Sequence, residues 1–228
     1  MNSNKKTAAT VGALFLIAMV ASLVGGGLVE SVISAPDYFT AISENETLLT
    51  VGVLLELVNA IAVIGIGVLM FTVLKRHNET MAAGYLSLRI VEAVFCSVIV
   101  ISPLSLIRLS QEYATAGAEA AYLQMAGDLS IAERASVSGL LIPVFFSLGA
   151  LLLYSSLYRS KLLPRFISIW GFVAAVLILT LNLLSAFGLV VGMGVSFIFA
   201  LPIILNEIFM GIWLIVKGFN PSAVNAAV

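Results

Sequence analysis

Residues 166–216 run for 51 positions with a single charge, Glu207. One membrane-crossing helix uses about 20 residues, so this stretch predicts two helices, folded back near Gly188 to Gly194. The same reading applies upstream. Residues 7–29 are uncharged and follow Lys5 and Lys6; residues 47–74 carry only Glu56; residues 80–107 carry Arg89 and Glu92; residues 135–158 carry no charge. With 166–188 and 194–216 these make six spans. The first run resembles a secretory signal peptide, with Gly25, Gly26 and Gly27 where a cleavage site would lie. The spans that follow favour an uncleaved first helix.

Composition agrees. Only 10% of the 228 residues are charged and 61% are hydrophobic, against about 25% charged in soluble domains. A net charge of −1 gives no footing for a nucleic-acid partner. Cys96 is the only cysteine, which rules out an intrachain disulfide and reads as a small buried core residue. The polar connection 108–134 is Ala-rich with Leu109, Tyr113 and Leu123 at helical spacing, the pattern of an amphipathic helix at the membrane surface. The expected fold is therefore all-α: one membrane domain over 1–228, a six-transmembrane-helix bundle with a surface helix between spans three and four. Pro103, Pro143 and Pro202 are expected to kink helices or lie near their ends.

Basic residues set the orientation. Lys5, Lys6, Lys75, Arg76, Arg159, Lys161, Arg165 and Lys217 fall on one side, and only Arg108 and Arg134 on the other, among seven carboxylates. The positive-inside rule then places both termini in the cytoplasm.

Charges inside the apolar runs mark the candidate site. A charged side chain at mid-membrane costs about 3 kcal/mol on insertion scales and survives by facing a partner or a wet cavity. At about 1.5 Å per residue, Arg89, Glu92, Asn206 and Glu207 form a tier roughly 13–18 Å from the cytoplasmic end, and Glu56, Asn59 and Asn182 one roughly 24–27 Å up. Arg89 and Glu92 lie three apart on one helix face. Arg89 and Glu207 share a depth, which predicts that Arg89 bridges Glu92 and Glu207 and pins span three to span six. One arginine cannot balance Glu56, Glu92 and Glu207. At least one of the three is expected to be a neutral acid unless a cation or water reaches it.

Enzyme signatures are missing: there is no H-E-x-x-H, no G-x-S-x-G and no Gly-rich phosphate loop. His77, the only histidine, sits in a basic turn and reads as a solvated loop residue. No catalytic, cofactor-binding or metal-ligating residue is assigned. Three carboxylates could hold a hard cation, though their spacing does not demand one.

Several local patterns occur together. They are 74–77 (Leu-Lys-Arg-His), 89–92 (Arg-Ile-Val-Glu), 158–165 (Tyr-Arg-Ser-Lys-Leu-Leu-Pro-Arg) with Ser168, Trp170 and Gly171, then Glu207 with 213–219 (Trp-Leu-Ile-Val-Lys-Gly-Phe). In this combination the chain resembles the bacterial integral-membrane family catalogued as domain of unknown function 4386, over nearly its whole length. The resemblance implies a bacterial multi-span protein of uncharacterised function, hence one of the bacterial inner membrane, and supplies no catalytic residue. Two functional classes stay open. One is transport or sensing of a small solute, proton or cation through the carboxylate pocket. The other is a structural or accessory subunit whose buried charges only fix helix packing. An intramembrane enzyme is disfavoured for want of a nucleophile or metal set.

Overall fold

The computed structural model describes residues 3–115, 117, 120–189 and 193–225. Among them the fold is helical throughout, with no strand. Ten helices follow in order: α1 (Ser3–Ile33), α2 (Tyr38–Glu44), α3 (Glu46–Leu74), α4 (Glu79–Val98), α5 (Ile101–Tyr113), α6 (Ala120–Ser136), α7 (Ile142–Ser160), α8 (Arg165–Ala186), α9 (Met193–Val216) and α10 (Pro221–Asn225). Six segments are long and apolar enough to cross a membrane: α1, α3, α4 with α5, α6 with α7, α8 and α9. The protein is a multi-pass membrane protein. Its outward faces carry apolar side chains such as Val20, Leu54, Ile61, Val94 and Ile198, all exposed from the bundle. The expected fold-back at 188–194 includes residues 190–192, which lie outside the described residues.

The spans form a ring. Each packs against its neighbours in sequence, and α9 returns to pack on α1 and close the circle. Spans three and six therefore stand on opposite sides of the interior. Small residues let the first span approach both of its neighbours, as membrane helices require in the absence of a hydrophobic drive between them. A Cβ on Gly52 would lie 3.0 Å from the Gly25 carbonyl, and one on Gly211 would lie 3.1 Å from the Gly12 carbonyl.

Spans three and four are unequal to the rest, at 35 and 41 residues. At about 1.5 Å per residue they reach roughly 50–60 Å, well beyond a hydrocarbon core of about 30 Å. The surplus, α5 and the start of α6, packs with α2 into a cap over one end of the ring. The cap has its own core, where Phe39 and Ile42 meet Leu49 and Leu106, with Phe39 stacked on Tyr113 at 4.6 Å. The connection expected to form a surface helix is divided: Leu109 and Tyr113 lie on α5, and Leu123 on α6, which runs through a π-helical turn at Val137–Leu141 into α7 as part of the fourth span.

The prolines account for the irregularities. Pro103 has no N–H to return to the Ile99 carbonyl, and span three breaks there into α4 and α5. Pro143, in the first turn of α7, follows the π turn, where the helix widens past its ring. Pro202 lies inside α9.

Candidate functional site: two arginine clusters along an internal cavity

The first cluster lies at the cap end of the ring and centres on Arg134, which is 3% exposed. Its Nη1 and Nη2 donate to both carboxylate oxygens of Glu56 on α3, at 3.2 and 2.5 Å. Nε donates to Glu30 on α1 at 3.2 Å, and Nη1 also donates to the Ile99 carbonyl at 3.0 Å. That carbonyl is the one Pro103 leaves without a helical donor. A planar guanidinium can hold carboxylates from two directions, and here it ties spans one, two and three to span four. Glu56 is buried, while the Glu30 side chain is 54% exposed.

The second cluster lies toward the opposite end. Arg89 Nη1 donates to Glu92 at 2.9 and 3.2 Å, both residues buried on α4. Gly67 on α3 and Gly149 on α7 leave room for the arginine: a Cβ on either would lie 3.0 Å from Arg89 Cβ or 3.7 Å from its Cδ. The Tyr85 ring lies against the guanidinium, 5.9 Å from centroid to Cζ. Satisfaction is incomplete. Arg89 Nε and the hydroxyls of Tyr85 and Tyr154 are buried without a hydrogen-bond partner.

A cavity of about 390 Å³ joins the interior faces of the spans. Asn59, Arg89, Glu92, Asn182 and Glu207 all line it. A second, of about 360 Å³, is lined by Glu30, Glu56 and Arg134. The two share Ser22, Asn59, Cys96 and Ile142. At this waist Asn59 Nδ2 donates to Cys96 Sγ at 3.7 Å. The polar interior is thus one track with an arginine cluster at each end.

Two expectations need correction. Arg89 does not bridge to Glu207: no ion pair within 4.0 Å joins them, because spans three and six face each other across the cavity instead of packing. Arg134 is not a residue of the polar connection facing water, because α6 carries it into the ring beside Glu56. Among the other candidates, Asn206 is fully buried, and its Nδ2 donates to the Ile167 carbonyl of α8 at 3.0 Å. It fastens α9 to α8 and does not line the cavity. Asn182 lines the cavity while donating to Ile178 of its own helix at 2.8 Å. His77 is exposed in the turn before α4. Among the described residues no three His, Cys, Asp or Glu side chains converge as a metal site.

Outside the spans, one hydrogen-bonded group steadies the cap. The Tyr38 hydroxyl donates to Asp128 at 2.9 Å, and Gln124 Nε2 donates to that hydroxyl at 3.0 Å. Burial, with the Asp128 carboxylate beside it, pushes the Tyr38 phenol well above its ordinary range.

No curated protein and no solved structure matches the chain significantly. One family model does match, that described as Domain of unknown function (DUF4386), over residues 10–218. The match takes in all but the first few residues of span one, the whole of the other five spans and both arginine clusters, and the chain belongs to the DUF4386 family.

Proposed function

We propose that this is a bacterial inner-membrane protein, with both termini cytoplasmic, that binds a small cation, a protonated solute or protons in its internal cavity for transport or sensing. The observation that carries this reading is the charge balance. Each cluster sets one arginine against two carboxylates, Glu30 with Glu56 and Glu92 with Glu207. Glu30 is more than half exposed, so the buried balance is Glu56, Glu92 and Glu207 against Arg89 and Arg134. Ionised throughout, these leave one negative charge in excess, and low-dielectric surroundings favour neutralising it with a cation or a proton. The cavity volume suits a small ligand, at the lower end of the range of about 300–1,000 Å³ for binding pockets.

Reconstitution in dye-loaded proteoliposomes tests it, with pH, sodium, potassium or tetramethylammonium gradients applied in turn. Flux, or gradient-dependent stabilisation, is expected in the parent and lost in Glu207→Gln. Their absence under all four gradients would favour the second reading, a structural or accessory subunit. The specific observation behind that alternative is Arg134, whose bonds to three other spans suit a purely architectural role. Orientation is tested by cysteines at Ser222 and Glu112, both exposed. In intact cells an impermeant thiol reagent should label Glu112→Cys and spare Ser222→Cys.

A further inference from the structure

Two of the sequence patterns singled out above, 158–165 and 213–219, lie far from the cavity track. The fold brings them together. Asn220 donates its backbone N–H to the Leu162 carbonyl at 2.9 Å and its Nδ2 to the Lys161 carbonyl at 3.2 Å. Leu162, Leu163 and Phe219 are buried beneath this junction. Lys161 turns the chain in the left-handed region, φ +57°, so that α7 ends and Arg165 can start α8 four residues later.

The result is a cup of about 510 Å³ between the ends of α7, α8 and α9, rimmed by Lys161, Arg165, Trp213 and Lys217. The three cationic side chains are exposed, and among the described residues no carboxylate pairs with any of them. No acidic side chain lines the cup, and after Glu133 the only one in the sequence is Glu207, inside the ring. Three positive charges converge here on a pocket with no counter-charge of its own.

Its surroundings identify the amphiphile. Phe166, Ile212 and Val216 are exposed on the outward faces of α8 and α9, next to the cup. Trp213 and Tyr158 stand where a membrane protein places its interfacial aromatic residues, and Arg165 lies over the Tyr158 ring at 5.0 Å. A ligand seated here meets cations at one end and a hydrocarbon-facing surface at the other. We infer that this cup binds the phosphate of an anionic phospholipid, with the acyl chains running down the outer surface of α8 and α9. A basic pocket at the boundary of membrane helices is a recognised form of headgroup site. The adjoining apolar surface favours the lipid over a free phosphate, which would use only the charged end.

The test uses the full chain in phosphatidylcholine vesicles, with Trp170→Phe so that Trp213 is the remaining tryptophan reporter. Brominated phosphatidylglycerol or brominated phosphatidylcholine is titrated in and fluorescence quenching recorded. Each basic group near a membrane surface is worth about fivefold in anionic-lipid affinity, so three, partly screened, should give a preference of roughly tenfold or more for phosphatidylglycerol. The preference should vanish in Lys161→Gln/Arg165→Gln/Lys217→Gln and persist in Lys161→Arg/Lys217→Arg. It should also persist in Lys75→Gln/Arg76→Gln, which removes charge elsewhere. Unchanged quenching by brominated phosphatidylcholine reports that the triple variant keeps its fold and insertion. Equal quenching by both lipids in the parent, or a preference that survives the triple variant, overturns the inference. Loss of the preference on adding millimolar inorganic phosphate would assign the cup to a free phosphate and overturn the lipid.

Discussion

Arg134 offers the sharpest quantitative test. Replacing it with methionine keeps much of the aliphatic bulk and removes the charge. Glu30, more than half exposed, can turn to water at little cost. The Ile99 carbonyl loses one hydrogen bond, worth about 1 kcal/mol. Glu56 is different. Its side chain is 5% exposed and loses both of its guanidinium bonds at once. Orphaning one partner of a buried pair costs about 3–5 kcal/mol. A second route gives a similar ceiling, since the variant can escape by protonating the orphaned carboxylate. For an ordinary glutamic acid at pH 7 that costs about 4 kcal/mol, falling to about 1 kcal/mol at pH 5.

The Arg134→Met protein should therefore unfold in detergent about 8–16 °C below the parent at pH 7, taking about 2–4 °C per kcal/mol for a chain of this size. The deficit should shrink steadily toward pH 5. Adding Glu56→Gln removes the orphaned charge and should restore more than half of the loss at pH 7. Thermal unfolding followed by helical circular dichroism measures all three. A single variant as stable as the parent, a pH-independent deficit, or a double variant no better than the single would each refute the reasoning.

Three further outcomes follow from the geometry. Arg89→Met should be destabilised by about 3–5 kcal/mol, with rescue by Glu92→Gln and not by Glu207→Gln, because only Glu92 is bonded to the arginine; unfolding midpoints of the two double variants decide it. Gly171→Leu should cost about 1–3 kcal/mol by overpacking, because any Cβ there overlaps the Tyr154 ring, and Tyr154→Ala should relieve it in a double-mutant cycle of thermal stabilities. The raised Tyr38 phenol stabilises the fold most fully below about pH 10 and loses that contribution as pH climbs beyond it. Tyr38→Phe should flatten the stability profile between pH 9 and pH 12, read by thermal unfolding.

The span count and the helical class were legible because hydrophobic length is a one-dimensional signal. Glu207 alone in 51 residues demands two helices whatever the tertiary packing. The Arg89 and Glu92 pair was legible for the same reason, since helical periodicity places both on one face. Arg134 was not. It follows Glu133 at the end of a polar connection, and by composition it belongs with water. Its burial depends on α6 continuing into α7, so that the boundary between connection and span falls upstream of the charge. A clue was present: small residues Ala132, Ala135 and Ser136 flank it, the kind that allow helices to pack closely. The contact between Arg89 and Glu207 failed for another reason. Depth along two helices can be counted from sequence, but which helices adjoin is set by ring order, and that places spans three and six apart.

The two clusters differ in a way that separates architecture from chemistry. At the cap end the arginine spends its donors on three other spans, and its buried carboxylate partner is held through both oxygens. Such a group resists rearrangement, since moving span two, three or four breaks a buried bond to the guanidinium. At the other end the arginine bonds within its own helix, and Glu207 faces it across open space from the opposite span. Arg89 Nε is buried without a partner beside that space, and so are the Tyr85 and Tyr154 hydroxyls, which do not line it. Buried polar groups left unsatisfied are costly, and they cluster on the half of the ring where no cross-span salt bridge holds the helices together. A solute with an acceptor oxygen would partner Arg89 Nε there, and a cation or proton would neutralise Glu207; at the cap, where Glu56 is already paired, either gains little. The cap-end cluster is therefore the fixed point of the bundle, and on the proposed reading a ligand acts on α9 and the inner half of α4.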